Sequence, residues 1–300
     1  MGSHPHVVDD CSGILHIFSD GLIWRCPFEE INFGRFRFID DNSVVFKDIT
    51  YVQNLNLSLR LYKPTLTNPT AKLPVVFYFH GGGFCLGSRV WPNFHNACVR
   101  LASGLHAFVV APDHRLAPEH KLPAALDDAM SAVEWLQKEA LMSESGGACD
   151  EWMGDGIVDF DRVFIAGDSS GGNIAHHLAV SLGGGSVKAA PVRLELIERF
   201  WRLSLPKGET RDHPMANPFG LNSPSLEKVD LDPILVIVGG NEMLKDRVEG
   251  YWRRLKELGK KIEYVEFDGQ QHGFFSNDPY SDVSNEAFHI IKRFVIENSN

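Results

Sequence analysis

The chain has 300 residues, of which 44% are hydrophobic and 23% charged, and its formal net charge is −10. This composition predicts a globular protein with a substantial core. The acidic balance, without a block of basic residues, argues against nucleic acid or an anionic membrane surface as a partner. No apolar run reaches the roughly 20 residues that are needed to span a bilayer.

The N-terminus, MGSHPHVVDD, has neither the basic start nor the apolar core of a secretory signal, and His6 breaks the myristoylation pattern. The five cysteines are scattered without metal-ligand spacing, so we expect reduced thiols, no metal and no cofactor. They are Cys11, Cys26, Cys85, Cys98 and Cys149. These features predict a cytoplasmic protein, with the nucleus as a further location.

Strand and helix patterns alternate along most of the chain. Two antiparallel strands are predicted first, SVVFKDITY (43–51) and LSLRLYKP (57–64). Continuously apolar runs follow, typical of parallel strands covered on both faces: VVFYF (75–79), AFVVAP (107–112), RVFIAG (162–167), ILVIVGG (234–240) and KIEYVEF (261–267). Helical patterns cover 92–103, 124–140, 171–182, 247–259 and 285–298. This order predicts a mostly parallel, doubly wound α/β sheet that binds ligands outside the C-terminal strand ends.

A serine stands between glycines where one predicted strand turns into a helix, in the stretch IAGDSSGGNIAHHLA. Residues 167–171 fit the pattern G-x-S-x-G, in which a sharp strand-to-helix turn leaves the serine hydroxyl projecting. Ser169 is therefore the predicted nucleophile, and a purely structural turn is the alternative.

A glycine run, FHGGGF, follows the first predicted parallel strand. Successive glycines allow backbone N–H groups to point into a cavity, where they can hold an oxyanion. The residue after the nucleophile would add a further donor. We predict an oxyanion hole made by His80, Gly81, Gly82, Gly83 and Ser170, with a flexible loop as the alternative.

A serine hydroxyl is a poor nucleophile unless a base takes its proton. His272, in GQQHGFF, follows the last predicted strand in a glycine-containing loop and is the predicted base. His176 and His177 lie on the helix body beyond the serine, and His289 lies inside the terminal helix. His213, in an irregular segment, stays open as an alternative.

A carboxylate is needed to orient the imidazole. Glu242 lies two residues past the glycine pair that ends the strand ILVIVGG, at the edge where the active face opens. Asp246 lies one helical turn later, where it could cap the helix or pair on the surface. Glu242 is the predicted acid and Asp246 the alternative.

Several motifs together resemble the plant carboxylesterases of the hormone-sensitive-lipase-like branch: HGGGF, PDHRLAPEHKLPAALDDA, GDSSGGNIAHHLA, DHPMANPFG and QQHGFF. Two further stretches, RFWRLSLPKGETRDHPMANPFG and ILVIVGGNEMLKDR, resemble its strigolactone-degrading subgroup most. Glu242, where many relatives have Asp, is typical of that subgroup, whereas His114 departs from the common D-Y-R-L-A-P-E form. The resemblance runs from about Cys11 to the C-terminus.

This resemblance implies a single α/β-hydrolase domain over residues 1–300, with a helical cap or lid over about residues 1–40. It implies Ser169, Glu242 and His272 as the triad of a serine carboxylesterase that needs no cofactor. The implied substrate is a small hydrophobic ester, a strigolactone or similar butenolide, hydrolysed through an acyl-enzyme. The implied assembly is a monomer or homodimer, with neither nucleic acid nor membrane as a partner.

Two other functions stay open. The gibberellin receptors of the same branch lose the catalytic histidine, which this chain retains, so turnover is favoured over hormone binding. Dehydratase and cyclase relatives keep much of the pocket, which leaves elimination chemistry as a second alternative.

Aromatic residues beside the catalytic motifs are predicted to line the substrate pocket, although such residues more often belong to the core. They are Phe84, Trp91, Phe274 and Phe275. Those of the N-terminal segment, Phe28, Phe33, Phe36 and Phe38, are expected to cover the pocket as a lid.

One expected strand has no counterpart in the sequence. Between the helix 171–182 and ILVIVGG, a doubly wound sheet needs another buried strand, yet KAAPVRLELIERFWRLSLP offers only Pro191–Arg193 and then a helical pattern. The resembling carboxylesterases have a strand and a long loop there, so about 30 residues are missing near 193–194. We expect this loss to impair folding and activity.

Overall fold

The computed structural model describes residues 4–31, 38–40, 42–65, 72–154, 156–183, 194–242 and 244–299. The strands are β1 Val7–Cys11, β2 Leu15–Phe18, β3 Ile23–Arg25, β4 Val44–Val52, β5 Leu57–Pro64, β6 Leu73–Phe79, β7 Phe108–Pro112, β8 Val158–Gly167, β9 Ile234–Gly239 and β10 Ile262–Phe267. The helices are α1 Pro92–Leu105, α2 Ala124–Glu144, α3 Ser170–Leu182, α4 Leu194–Ser204, α5 Lys245–Glu257, α6 Phe274–Asn277 and α7 Asp282–Glu297. Every strand and helix predicted from the apolar patterns is present.

The main sheet has five strands in the order β4-β5-β7-β6-β8. β4, β5 and β7 pair antiparallel, whereas β7, β6 and β8 pair parallel. Alternate residues of β6 enter two different cores. Phe77 packs with residues of α2 and α3, and Tyr78 packs with residues of α1 and α7. Helices therefore cover both faces of the sheet, which explains why its strands are continuously apolar.

The last two strands do not join this sheet. β9 and β10 pair in parallel as a separate two-stranded sheet, and β8 and β9 are edge strands in the described chain. Val236 nevertheless packs into the core of α2 and α3, and Ile237 into the core of α1 and α7. The two sheets thus share both cores, but in the described residues no backbone hydrogen bonds join β8 to β9. This is the position where the sequence lacks the expected strand.

The prediction of a helical N-terminal cap is wrong for the described residues. β1, β2 and β3 form an antiparallel sheet, with positive φ at Gly13 and Gly21 in its two turns. Glycines in tight turns between short alternating segments favour hairpins over a helix. Leu15 is fully buried in a cluster that includes Leu86, after the glycine run, and Phe200 of α4.

The predicted lid phenylalanines fall in different places. The ring of Phe28 lies 4.9 Å from Trp91, and Phe38 stacks on His95 at 3.9 Å. Phe33 and Phe36 lie outside the described residues.

All five cysteines are free thiols. Within the described ranges, no helix is both long and apolar enough to cross a membrane.

Candidate active site

Ser169 occupies a tight turn between β8 and α3. Its φ of 57° and ψ of −117° form a backbone conformation that non-glycine residues rarely adopt and that is typical of functional sites. A Cβ on Gly167 would lie 2.2 Å from the Gly171 carbonyl oxygen, and one on Gly171 would lie 2.0 Å from the Phe79 carbonyl oxygen. Only glycines fit at both positions, as a nucleophile elbow requires.

The glycine run after β6 packs directly against this turn. A Cβ on Gly81 would lie 2.9 Å from the Asp168 carbonyl oxygen and 3.1 Å from Ser169 Cβ. Gly82 and Gly83 have φ values of 118° and 62°, which favour glycine. Ser170 is the first residue of α3, where N–H groups have no intrahelical acceptor. The predicted oxyanion residues therefore lie around the same turn as the predicted nucleophile.

The side chain of His80 supports the loop. Its Nδ1 lies 2.8 Å from the Gly81 carbonyl oxygen, and its ring stacks on His114 at 4.5 Å. Burial lowers the pKa of His80. The pKa of His114 is lowered to about 3, mainly by burial and to a smaller extent by the neighbouring His80. Both rings are therefore neutral at pH 7. His114, the departure from the common motif, packs behind the glycine loop.

The predicted acid and base follow the two strands of the smaller sheet. Glu242 is buried, and its Oε2 accepts a 3.3 Å hydrogen bond from the Gly239 N–H. Burial, with a further contribution from Asp168, raises the pKa of Glu242 to about 9, whereas burial lowers the pKa of His272. Asp246, the alternative acid, is exposed on the first turn of α5.

Two buried polar atoms of this pair have no hydrogen-bond partner. They are Oε1 of Glu242 and Nδ1 of His272. Within the described structure, no hydrogen bond joins His272 to Glu242 or to Ser169. A bond from Nδ1–H to Oε1 would satisfy both atoms, and it would lower the raised pKa of the carboxyl by stabilising its charged form.

Ser169 lines an open cavity beside α3, α4 and α5. Of the four aromatic residues predicted for the pocket, Phe84 lines this cavity. The other three are not among its lining residues; they are half-buried and pack against the core beside α1 and α7. Trp91 stacks with Phe94 at 6.2 Å, and Phe274 and Phe275 line a second cavity. The pocket prediction is corrected at these three positions.

Most of the residues that surround Ser169 in the cavity were not predicted from the sequence. Phe200 and Trp201 of α4 and Tyr251 of α5 line its cavity, as do Arg211 and Arg247. The helical pattern that places Phe200 and Trp201 on one side was a usable signal. Nothing in the sequence indicated which surface α4 would cover, because that depends on distant strands.

The other histidines have local partners. His176 Nδ1 lies 3.0 Å from the Tyr251 hydroxyl, and His177 Nε2 lies 3.2 Å from the Met215 carbonyl oxygen. His213, the alternative base, accepts a 3.3 Å hydrogen bond from the Met215 N–H. In the described segments no group of three or more metal-ligating side chains comes together.

Comparison with known families gives a match to the family described as alpha/beta hydrolase fold, in two segments, 76–192 and 185–276. The two segments overlap at residues 185–192, just before the junction at 193–194.

Curated relatives include plant enzymes. The chain is 35% identical over 247 residues to probable carboxylesterase 8 of Arabidopsis thaliana, covering 72% of this chain and 75% of that protein. It is 32% identical over 285 residues to 2-hydroxyisoflavanone dehydratase of Glycyrrhiza echinata, covering 85% of this chain and 86% of that protein. Among solved structures, EstE1, a thermostable carboxylesterase from a metagenomic library, has a TM-score of 0.70 at 28% identity, covering 85% of this chain and 90% of that one.

Proposed function

Because the chain belongs to the α/β-hydrolase family and is a carboxylic ester hydrolase, we propose that it cleaves esters with Ser169 as nucleophile, His272 as base and Glu242 as the acid that orients the base. The observation that carries this proposal is the strained turn at Ser169, against which Gly81 packs too closely for any side chain.

The reaction proceeds in two halves. Ser169 Oγ attacks the ester carbonyl carbon while His272 takes the hydroxyl proton, and the resulting oxyanion accepts hydrogen bonds from N–H groups of the glycine loop and of Ser170. Collapse of this intermediate breaks the ester C–O bond, and His272 returns the proton to the leaving alcohol. Water, deprotonated by His272, then cleaves the acyl-enzyme and releases the acid and free Ser169.

The unsatisfied atoms of Glu242 and His272 support the assignment of acid and base. The exposed Asp246 would have to bring its carboxylate from the surface to reach the buried Nδ1 of His272. Glu242 is already buried, and its free oxygen needs a donor.

We propose that the substrate is a small hydrophobic ester, and specifically a strigolactone or similar butenolide. The support for this class is the resemblance of RFWRLSLPKGETRDHPMANPFG and ILVIVGGNEMLKDR to the strigolactone-degrading subgroup of the plant carboxylesterases. The rings of Phe84 and Trp201, which line the cavity with centroids 5.7 Å apart, provide an apolar surface beside Ser169.

An elimination reaction is the second candidate, because one relative is named as a dehydratase. Hormone binding without turnover is the third, and the retained His272 argues against it. The three functions differ in their products: an acid and an alcohol, an alkene and water, or unchanged ligand.

The test is a stopped-flow assay of the full chain with p-nitrophenyl acetate, followed by a product screen with a strigolactone and unrelated esters. We expect a burst of p-nitrophenol that approaches one equivalent when acylation outpaces deacylation. Ser169→Ala should abolish turnover and leave ligand binding nearly intact, because the hydroxyl is small. If Ser169→Ala turns over substrate at the rate of the unmodified chain, the mechanism is wrong. If the unmodified chain binds a ligand without turning it over, the receptor function is favoured.

A further inference from the structure

Two arginines line the cavity that Ser169 also lines. Among the described residues of this lining, Arg211 and Arg247 carry the positive charge and none is acidic. Both arginines are exposed, so their side chains lie where the cavity meets solvent. The whole chain has a formal net charge of −10. The charge of the cavity lining is therefore opposite to that of the protein as a whole, which favours an anionic ligand.

Arg247 lies about one helical turn from a contact that joins α3 to α5. In this contact His176 Nδ1 lies 3.0 Å from the Tyr251 hydroxyl, and both residues line the cavity. Arg247 precedes Tyr251 by four residues, so the two side chains share one face of α5. Burial, followed by the neighbouring His177, lowers the pKa of His176 to about 3, so its ring is neutral at pH 7. The positive charge on this side of the cavity therefore comes from Arg247.

Arg211 belongs to a segment that is docked on both helices. Asn173 Nδ2 of α3 donates a 2.9 Å hydrogen bond to the Met215 carbonyl oxygen. Arg254 Nη1 of α5 donates a 3.4 Å hydrogen bond to the Phe219 carbonyl oxygen, and its guanidinium lies 5.3 Å from the centre of the Phe219 ring. These contacts hold the segment against α3 and α5, which fixes the place of Arg211 at the cavity.

Much of the remaining lining is apolar. It includes Phe84, Phe200, Trp201, Val236, Leu244 and Val248. A guanidinium group binds a carboxylate through two parallel hydrogen bonds, and the rings provide surface for an apolar group. A ligand that matches the whole lining therefore has an apolar body and a carboxylate end.

We propose that the preferred substrate is an ester that carries an ionised carboxylate, which Arg211 and Arg247 bind while the apolar residues hold its body beside Ser169. This inference rests on the proposed ester hydrolysis and adds an anionic group to the proposed hydrophobic ester. A neutral ester, a butenolide included, can still react, because the apolar lining holds it. The carboxylate lies away from the ester bond, so it lowers KM more than it raises kcat.

The kinetic test compares p-nitrophenyl hydrogen adipate with methyl p-nitrophenyl adipate, whose terminal carboxylate is capped as a neutral methyl ester. Release of p-nitrophenol reports cleavage of the same bond in both. We expect kcat/KM to be about fivefold to tenfold higher for the anionic ester at low ionic strength. This ratio should fall toward one in about 0.5 M salt, because salt screens exposed charges.

A second pair of substrates, 4-acetoxybenzoate and its methyl ester, places the carboxylate on the alcohol side of the ester bond. We expect the anionic ester to be preferred in at least one of the two pairs. Equal kcat/KM values within both pairs would overturn the inference.

Arg211→Gln and Arg247→Gln should each lower the ratio of the two kcat/KM values by about threefold, and the double variant should bring it to about one. A ratio measured on one enzyme sample cancels differences in folded fraction. The matched control is Arg253→Gln, which removes the same charge from α5, because Arg253 pairs with Glu249 and is not among the lining residues. A ratio that stays high in the double variant, or that falls equally in the control, would show that the cavity arginines do not bind the carboxylate.

A binding test separates this inference from the proposed function. Isothermal titration calorimetry of Ser169→Ala compares monomethyl adipate with dimethyl adipate in the absence of turnover. We expect the monoanion to bind about fivefold to tenfold more tightly, and the difference to disappear when both arginines are replaced by glutamine. If the difference is present but the unmodified chain cleaves no ester, the carboxylate site stands and the hydrolytic mechanism is wrong. If the chain cleaves esters but the difference is absent, the mechanism stands and the carboxylate site is wrong.

Discussion

The Ser276 hydroxyl donates a 2.5 Å hydrogen bond to Asp168 Oδ2. Asp168 directly precedes Ser169, the proposed nucleophile, and Ser276 lies in α6, four residues after His272, the proposed base. Ser276 is only 2% exposed, so water does not compete for this bond. The contact therefore ties the segment that carries the proposed base to the turn that carries the proposed nucleophile, between the two sheets.

Removing this hydroxyl should loosen the position of His272. We expect Ser276→Ala to lower kcat for p-nitrophenyl acetate by about 10-fold to 100-fold with little change in KM, because small displacements of catalytic groups affect the chemical step most. The control is Ser131→Ala on α2, where the hydroxyl donates only to the Asp127 carbonyl oxygen of its own helix. Equal kcat values for the two variants would exclude a positioning role for Ser276.

The assignment of the acid can be tested by a pair of amide substitutions. Glu242→Gln should lower kcat by about 10⁴, the loss seen when the imidazole is held in the wrong tautomer. Asp246→Asn should have a much smaller effect, because Asp246 is exposed on the first turn of α5. Steady-state kinetics of both variants provide the measurement. The reverse ranking would move the acid to Asp246.

Glu242 should also make stability depend on pH. Its pKa is raised to about 9 in the folded chain from the usual 4.5, so folding favours the protonated form. The free energy of unfolding is therefore highest below the unfolded-state pKa and falls as the pH rises toward 9.

Glu242→Gln should remove this fall in the free energy of unfolding at high pH, since an amide does not ionise. We expect its Tm to exceed that of the unmodified chain at pH 8 and the two values to converge near pH 5. Differential scanning calorimetry at both pH values measures the effect, with exposed Glu257→Gln as the control. A Tm difference that does not change with pH would contradict the burial of an uncompensated carboxyl at Glu242.

The break between β8 and β9 predicts weak folding of the 300-residue chain. If several groups at the open edges are buried without partners, at about 1–3 kcal/mol each, they offset much of a typical stability of about 5–15 kcal/mol. We expect low soluble expression or low activity, and recovery of both when the family's strand and loop are inserted between Arg193 and Leu194. Expression yield, melting and esterase assays of the two chains provide the measurement. If the 300-residue chain without the insertion melts cooperatively and is fully active, it tolerates the missing strand.

Local patterns along the chain were enough to predict the strands and helices of the α/β layers. Continuous apolar runs mark strands buried on both faces, and helices with one apolar side cover them. The turn at Ser169 was equally readable from the spacing of its glycines. Gly167 is required by a close contact with Gly171 in the same turn, whereas the contact that requires Gly171 comes from Phe79 of β6. The lack of a strand before β9 could also be inferred, since the sequence there turns helical too early.

The surroundings of Ser169 depended on contacts between distant segments. Phe200, Trp201 and Tyr251 reach its cavity because the fold brings residues of α3, α4 and α5 to one place, and no local pattern encodes that arrangement. Trp91, Phe274 and Phe275 are close to the predicted catalytic motifs in sequence, yet they pack against the core beside α1 and α7. The N-terminal residues form strands, because turns at Gly13 and Gly21 and burial of Leu15 against Phe200 favour a small sheet over a helix. The periodicity of apolar residues indicates which side of a helix or strand is apolar. Which other segment covers that side depends on the packing of the whole chain.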